Sequence, residues 1–336
     1  MKKIIFGINM DFLKYYKKII QGKFGYKDAI DLWNEGDTYD LLYLAYLIKK
    51  YYNYKNNNSP LKMDLCSIIN AKSGRCSEDC IFCSQSIYSK SNIKIYGLKS
   101  KEEIVRYGKY MEKYSSRFSI VVSGKSLSNG EFERVLNTIH ELKEKTSLKI
   151  CASLGLLDKD RLKELKEYDV RIHCNLETSK DNFKNICKTH DYKDKIKTIE
   201  YAKRLGLEVC SGGIFGIGES YMDRIKMFHE LKELNVDSVA LNIIHPIKGT
   251  RIYDLINNKK IKEITPMESL KSIAMAKIYM PDREIRLCGG REYNLKDIQS
   301  LALLAIDGLM IGNYLTTKGR SIEDDLQMIR DMGFIC

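Results

Sequence analysis

The chain has 336 residues, 44% of them apolar, enough to bury a large core in one large domain or two ordinary ones. Its formal net charge is +12, but the lysines are spread along amphipathic segments, without a compact basic run or interleaved aromatic residues, which argues against nucleic-acid binding. Four prolines and no low-complexity tract exclude long disordered linkers, and no stretch approaches the roughly 18 uninterrupted apolar residues of a membrane span.

The start of the chain, MKKIIFGINM (1–10), resembles a signal peptide, but Asp11 and Lys14 interrupt it before an apolar core can form. We therefore expect a cytoplasmic protein whose ten cysteines stay reduced. Metal binding or catalysis then accounts for the cysteines better than disulfides do.

Residues 1–60 are predicted to form a helical N-terminal extension. DLLYLAYLIKKYY (40–52) carries apolar residues at helical spacing, and NNNSP (56–60) ends the segment. A second domain is expected to run over residues 61–336.

In that second part, strand-like apolar segments alternate with helical ones. SKEE (100–103) and TPME (265–268) carry capping boxes, and residues 219–235 have a helical apolar face. The predicted strands are MDLCSIINA (63–71), FSIVVSG (118–124), LKICASLG (148–155), DVRIHCNLE (169–177), LEVCSGGIFG (207–216), DSVALNII (237–244), EIRLCGG (284–290) and GLMIG (308–312). Eight strands, each followed by a helix, predict an α/β fold, a parallel (β/α)8 TIM barrel.

Three cysteines, Cys76, Cys80 and Cys83, follow the first strand directly, at the barrel face where active sites lie. A structural zinc site or a ferredoxin run would supply a fourth ligand nearby, and none is present in this loop. Three thiolates can hold three irons of a cube and leave one iron open, which suits catalysis. The loop is polar, so burial of the cysteines as small hydrophobic residues does not explain them.

The spacing C-x3-C-x-φ-C, with Phe82 as its aromatic residue, resembles the signature of the radical S-adenosylmethionine superfamily. Five segments together resemble the biotin synthase family: NAKSGRCSEDCIFCSQS (70–86), CNLETS (174–179), VCSGGIFGIGE (209–219), ALNIIHPIKGT (240–250) and IRLCGGRE (285–292). The resemblance covers roughly residues 60–336.

The resemblance implies a 4Fe–4S cluster whose open iron is chelated by S-adenosylmethionine. It implies sulfur insertion into dethiobiotin to give biotin, through a 5′-deoxyadenosyl radical, with a second, auxiliary iron–sulfur cluster as sulfur donor. Reduced flavodoxin or ferredoxin is the implied electron donor, and a homodimer the implied assembly. Neither nucleic acid nor membrane is expected as a partner.

By position, the family's auxiliary ligands fall at Ser119, Cys151, Cys210 and Arg286, so this chain has serine where a cysteine is usual. Strand alternation offers a replacement set on odd strands one, three, five and seven, consisting of Cys66, Cys151, Cys210 and Cys288. Four side chains from alternate strands build one interior layer of such a barrel, so these cysteines are predicted to meet at one height. They would hold a 2Fe–2S or four-iron cluster, with Arg286 as a donor to a bridging sulfide or an alternative ligand.

Three further cysteines are given no function. Cys174 should face away from the interior by strand alternation, Cys187 lies in a helix or loop, and Cys336 is the last residue. Asp64 should face inward with Cys66, but its role is not apparent from the sequence.

The resemblance also implies residues for cofactor and substrate. Asn175 would contact both, Glu177 would bond the ribose hydroxyls, and Asn242 would bond the ureido ring of dethiobiotin. His190 stands where the family has an arginine for the cofactor carboxylate, so either His190 donates a single hydrogen bond or another cation, such as Arg117 or Lys188, assists. The segment that ends the fifth strand, GGIFGIGE (212–219), would receive the adenine, with Gly212 and Gly216 permitting close approach and Ile214 packing on the base while its amide bonds it.

Three alternatives stay open at this level. One is another radical enzyme on the same barrel, similar to a hydrogenase-cofactor maturase and acting on a different small substrate. The others are an iron–sulfur electron carrier and a zinc-dependent nucleic-acid binder.

Overall fold

The computed structural model describes residues 11–55 and 61–336. The leader-like start (1–10) and the NNNSP segment (56–60) lie outside the described residues. Eight parallel strands close into a barrel in chain order, which confirms the predicted TIM barrel. The strands are β1 (Asp64–Lys72), β2 (Arg117–Val122), β3 (Lys149–Ser153), β4 (Arg171–His173), β5 (Val209–Phe215), β6 (Ser238–Ile243), β7 (Glu284–Leu287) and β8 (Gly308–Met310).

Helices cover the outside of the barrel. Helices begin at both predicted capping segments, where Ser100 accepts the amide hydrogen of Glu103 and Thr265 accepts that of Glu268, with Pro266 in the first turn. Within residues 11–55 and 61–336, no helix is long and apolar enough to cross a membrane. The barrel helices are α4 (Lys101–Met111), α5 (Asn129–Lys145), α6 (Lys159–Glu167), α7 (Lys180–Ile186), α8 (Tyr192–Arg204), α9 (Tyr221–Glu233), α10 (Arg251–Asn257), α11 (Pro266–Tyr279), α12 (Arg291–Leu295), a 3-10 segment (Lys296–Leu304) and α13 (Ile322–Asp331).

The N-terminal extension contributes α1 (Phe12–Ile20), α2 (Tyr26–Glu35) and α3 (Thr38–Lys55). Helix α3 packs along α11 and the 3-10 segment. The buried Lys49 ammonium donates to the carbonyl of Leu303 at 3.0 Å and to that of Ile306. These bonds satisfy carbonyls that the 3-10 segment and its end leave free, so the extension is joined to the barrel by polar as well as apolar contacts.

The strand register fixes which interior side chains share a level. Cys66 pairs with Arg117, and two residues further along β2, Ser119 pairs with Cys151. On β4, β6 and β8, too, the residue that pairs with the preceding strand lies two positions before the residue that pairs with the following strand. The four even strands together therefore give the stagger of eight residues that a TIM barrel has. The level defined in this way consists of Cys66, Cys151, Cys210 and Arg286.

The prediction that Cys288 shares this level is wrong. Cys288 comes two residues after Arg286, so it lies one odd-strand layer nearer the C-terminal face. Even strands supply the neighbouring layers by the same reasoning. Ser119, His173, Ala240 and Met310 lie directly above the cysteine level, and Arg117, Arg171, Ser238 and Gly308 lie directly below it.

Candidate active site inside the barrel

A cavity of about 450 Å³ runs from the C-terminal face into the barrel interior. Its walls include all seven cysteines that the sequence analysis assigned to clusters, together with Phe82, Asn175, Glu177, His190, Ile214 and Asn242. Cys174 also lines the cavity, contrary to prediction, because β4 ends at His173 and strict alternation ends with it. The structure therefore brings the predicted cluster residues and most of the predicted binding residues into one space.

The loop that carries Cys76, Cys80 and Cys83 forms one rim of this cavity. The Cys76 amide donates to the carbonyl of Gln85 at 3.0 Å, and the Cys83 amide donates to that of Cys80 at 3.0 Å. The Gln85 side chain accepts from the Gly74 amide at 3.2 Å. These bonds close the loop on itself and keep the three half-buried thiols on the same side of the barrel mouth.

A second group of polar residues joins this loop by hydrogen bonds to residues 188–190, which follow α7. The Asp79 carboxylate accepts the amide hydrogens of Lys188 at 2.8 Å and Thr189 at 3.2 Å. The Glu78 carboxylate lies 2.5 Å from Nδ1 of His190. Burial lowers the pKa of His190, but hydrogen bonds with Cys187 and Glu78 outweigh it and raise the pKa above its usual value. His190 thus has a carboxylate partner within the chain.

The cation nearest to the predicted ribose site is Lys195, which the sequence analysis missed. Its Nζ lies 3.9 Å from Oε1 of Glu177, and its side chain is 14% exposed. Burial opposes its charge, but Glu177 keeps the pKa of Lys195 above the usual value. Lys188, one of the two cations expected to assist His190, points to solvent. Lys195 follows Tyr192 in the first turn of α8, and no motif in the sequence marks it.

Two buried oxygen atoms in the same wall have no hydrogen-bond partner among the described residues, Oδ1 of Asn175 and Oε2 of Glu177. Orphaned buried acceptors are costly unless a ligand supplies donors. Two acceptors beside one ammonium group match a ligand with hydroxyl or amino hydrogens and a carboxylate. S-adenosylmethionine carries all of these groups, so the residues present fit it.

The glycine-rich end of β5 differs from prediction in its details. The Ile214 amide donates to the Glu177 carbonyl at 2.9 Å, so it is not free to bond a base. A Cβ on Gly212 would lie 1.9 Å from the Ala240 carbonyl oxygen, and one on Gly216 would meet Ile244 and Ile264. Both glycines are therefore required by strand and side-chain packing, and only Ile214 reaches the cavity.

Asn242 lines the cavity, and part of its hydrogen-bonding capacity is already used within the chain. Its Oδ1 accepts the Gly289 amide hydrogen at 3.0 Å, and its Nδ2 donates one hydrogen to the Gly213 carbonyl at 3.4 Å. One amide hydrogen remains for a ligand.

The four deeper cysteines are buried and lie too far apart to share a single ion. Among the described residues, no three of their sulfur atoms lie within 4.8 Å of one another. Burial raises the pKa of each of these thiols, that of Cys151 to about 12. Ionising them requires nearby positive charge, which a multinuclear iron cluster supplies across a wider span than one ion does.

Three arginines and three carboxylates form a closed ring of alternating charge at and just below the cysteine level, here called the floor ring. Arg117 lies 3.3 Å from Asp64 and 3.5 Å from Glu208, and Arg171 lies 2.8 Å from both Glu208 and Glu284. Arg286 closes the ring by pairing with Glu284 and, at 2.5 Å, with Asp64. The guanidinium groups line the cavity and the carboxylates do not.

The floor ring gives Asp64 a role and shows that the expectation of Arg117 as an assistant to His190 is wrong. Burial opposes the charge of Asp64, but Arg286 holds the pKa of this carboxyl below its usual range. Burial likewise opposes the charge of Arg286, but contacts with Cys66, Glu284 and Asp64 raise the pKa of its guanidinium. Arg117 belongs to this ring and does not assist His190 at the mouth, and Arg286 stands in the cysteine level with both of its charge partners already present.

Comparisons with known proteins agree with this arrangement. Residues 71–231 match the description "Radical SAM superfamily", and residues 240–335 match "Biotin and Thiamin Synthesis associated domain". The chain is 60% identical over 320 residues to the biotin synthase of Methanococcus aeolicus, covering 95% of this chain and 96% of that one. It is 54% identical to the biotin synthase of Methanocaldococcus jannaschii, covering 96% and 99%, and 45% identical to that of Pelotomaculum thermopropionicum, covering 96% and 98%.

Solved structures share the fold at low sequence identity. Methylornithine synthase (PylB) superposes with a TM-score of 0.78 at 19% identity, covering 96% of each chain. The hydrogenase maturase HydG superposes with a TM-score of 0.78 at 15% identity, covering 96% of this chain and 75% of that one.

The floor ring predicts a graded response to neutralising its carboxylates. Asp64→Asn should lower the free energy of unfolding by about 1–3 kcal/mol, because it removes a partner from two buried arginines while its own side chain is only 32% exposed. Glu208→Gln also removes a partner from two buried arginines, but it should cost only about 0–1 kcal/mol, since Glu208 is 52% exposed and solvent screens its pairs. Denaturant midpoints followed by circular dichroism compare the two, and equal costs would contradict the ring as described.

Proposed function

The chain belongs to the biotin synthase family of the radical S-adenosylmethionine superfamily, and from this premise we propose how its residues divide the work. The enzyme is a radical S-adenosylmethionine sulfurtransferase that converts dethiobiotin to biotin. When bound, the cofactors supply the 5′-deoxyadenosyl radical that removes hydrogen from dethiobiotin and the sulfur that replaces it.

At the mouth, Cys76, Cys80 and Cys83 would hold the 4Fe–4S cluster. Lys195 would pair with the carboxylate of S-adenosylmethionine, and the orphaned oxygens of Asn175 and Glu177 would accept hydrogen bonds from it. His190 would contribute through Nε2, since Nδ1 faces Glu78. Phe82 and Ile214 would supply apolar contact. These assignments rest on the unsatisfied acceptors and the buried ammonium group described above.

Deeper in the barrel, Cys66, Cys151, Cys210 and Cys288 would hold an auxiliary four-iron cluster. Three of them share one level and Cys288 lies one layer above, so the four positions are not coplanar. A four-iron cube needs ligands in such a non-planar set, since its irons occupy the corners of a tetrahedron. The raised level of Cys288 therefore supports all-cysteine ligation better than four cysteines at one height would.

The proposal of four cysteine ligands without an arginine rests on the hydrogen bonds and ion pairs that Arg286 makes within the chain. An arginine ligand must give up a proton and offer a lone pair, whereas Arg286 donates to the Asp64 carbonyl at 3.0 Å and pairs with two carboxylates. Its role is then that of a positively charged neighbour, which stabilises the negative charge of four thiolates. The same applies to Arg117 and Arg171 in the layer below.

Between the two clusters, the walls favour a dry substrate site. Ile68, Val121, Ala240 and Met310 line it. Burial lowers the pKa of His173 to about 4, so this ring stays neutral at physiological pH. The remaining amide hydrogen of Asn242 would bind the ureido oxygen of dethiobiotin. Substrate held here would lie between the radical source at the mouth and the sulfur donor below, and the walls would exclude water from it.

An exposed patch beside Cys76 fits an acidic one-electron carrier such as flavodoxin or ferredoxin. Ile87, Tyr88 and Ile95 are each more than half exposed. The Ile87 amide donates to the Cys76 carbonyl at 2.9 Å, and Ile95 packs over Gly74. Arg75 and Lys94 are exposed within the same segments. Apolar surface edged by positive charge next to a cluster ligand favours a negatively charged partner.

Three further features of the proposal concern the location, the assembly and the domain boundary of the protein. A cytoplasmic location and a homodimer follow from the family resemblance. The boundary between a helical extension (1–60) and the barrel domain (61–336) follows from the sequence pattern.

Cys288→Ala should leave the mouth cluster intact and abolish biotin formation. The expected result is normal cleavage of S-adenosylmethionine under chemical reduction, no biotin, and loss of about four irons per chain. Iron analysis, Mössbauer spectra and product chromatography measure these together. Wild-type yields of biotin from this variant would show that Cys288 is not a ligand, and Cys336→Ala serves as the control cysteine.

Charge reversal of the patch should weaken reduction by the carrier alone. Arg75→Glu and Lys94→Glu should each lower kcat/KM for reduced flavodoxin by about tenfold at low salt, with a smaller effect at high salt. Dithionite-driven cleavage of S-adenosylmethionine should not change. Lys143→Glu is the matched control, because it lies in the last turn of α5 at the opposite end of the barrel. An equal loss in the control, or no loss in the patch variants, would refute the patch.

A further inference from the structure

Beside the mouth loop, three metal-binding side chains from two separate segments converge. Cys80, Cys187 and His190 each place a donor atom within 4.8 Å of the other two, and within the described ranges they are the only group of three that does so. Cys187 was expected to be an incidental cysteine. Instead it is buried, with its sulfur 3.2 Å from Asp79 Oδ1 and 3.2 Å from His190 Nδ1.

The imidazole of His190 is oriented as a metal ligand usually is. Nδ1 faces Glu78 at 2.5 Å, and both side chains are less than 10% exposed. A carboxylate on one ring nitrogen keeps the proton on that nitrogen, so the other nitrogen offers its lone pair when a metal displaces its proton. That nitrogen, Nε2, lies 4.0 Å from the Cys187 sulfur. In a tetrahedral zinc site with Zn–S of about 2.3 Å and Zn–N of about 2.0 Å, ligand atoms lie about 3.6 Å apart.

We propose that Cys80, Cys187 and His190 bind a zinc ion in chains that have not received the mouth cluster, and that zinc and this cluster exclude each other. Two thiolates and an imidazole suit zinc and do not suit magnesium or calcium. Cys80 and His190 line the cavity, so the ion has a route from the barrel mouth. Water would fill the fourth position.

Zinc and the mouth cluster would exclude each other because both would use Cys80 as a ligand. The zinc site stands on its own geometry, whereas the exclusion rests on the proposed role of Cys80 as a ligand of the radical cluster. A chain that captures zinc first would keep Cys80 from iron. Cys76 and Cys83 are not part of the three-residue group, so zinc would leave them free.

Titration of the cluster-free, full-length chain with Co²⁺ under anaerobic conditions tests the site directly. The expected result is one equivalent of tetrahedral cobalt with thiolate charge-transfer absorption, which added Zn²⁺ removes. Cys187→Ala, Cys187→Ser and His190→Gln should each weaken binding by about tenfold or more. Cys76→Ala and Cys336→Ala should bind as wild type does, and circular dichroism checks that each variant is folded.

A second measurement tests the exclusion. Chains preloaded with one equivalent of Zn²⁺ should assemble the mouth cluster from ferrous iron and sulfide several-fold more slowly than zinc-free chains, and Cys187→Ala should lose this delay. Cobalt binding that needs Cys76 and does not need Cys187 would overturn the site. Rapid assembly in zinc-loaded wild type would overturn the exclusion. A chain that assembles its clusters but never cleaves S-adenosylmethionine would instead refute the proposed function, and the cobalt result would be unaffected.

Discussion

The two-residue stagger between alternate strands decides which side chains meet inside this barrel. It places Cys66, Cys151 and Cys210 with Arg286 at one level, raises Cys288 by one layer, and puts Arg117 and Arg171 immediately beneath. Cysteines separated by some 60 to 140 positions in sequence therefore become neighbours. A shift of one residue in any strand would turn its cysteine to the outer face, so the assembly of the deeper site depends on the register as a whole.

Charge is arranged along the barrel axis to match this geometry. In the floor ring, each of three guanidinium groups at or beneath the cysteine level pairs with two carboxylates that lie outside the cavity. At the mouth, Lys195 is the buried cation and Glu177 its partner. Each end thus presents positive charge toward the cavity, suited to thiolates and sulfide below and to a carboxylate above. The middle is apolar, and its histidine, His173, is neutral.

Sequence patterns were sufficient to predict the fold and to indicate that seven cysteines face the mouth or interior of the barrel, because strand and helix periodicity and motif spacing are local properties. They indicated that Cys288 faces inward but could not give its height, which depends on the stagger of the whole barrel. The floor ring escaped prediction because its members come from four different strands and from the residue before β5, so their contacts depend on the stagger of the whole barrel. No sequence motif marks Lys195. None indicates that Cys187 contacts Cys80 and His190. The Ile214 amide was misjudged because its acceptor, the Glu177 carbonyl, belongs to a loop after a different strand.

The proposed function of the deeper site depends on ligation of the second cluster by four cysteines, and not by three cysteines and an arginine. Iron content of anaerobically purified protein, combined with Mössbauer spectroscopy, tests it most directly. All-cysteine ligation predicts roughly eight irons per chain, all in four-iron environments with sulfur ligands. About six irons per chain, with one third in a two-iron site that has a nitrogen ligand, would contradict it.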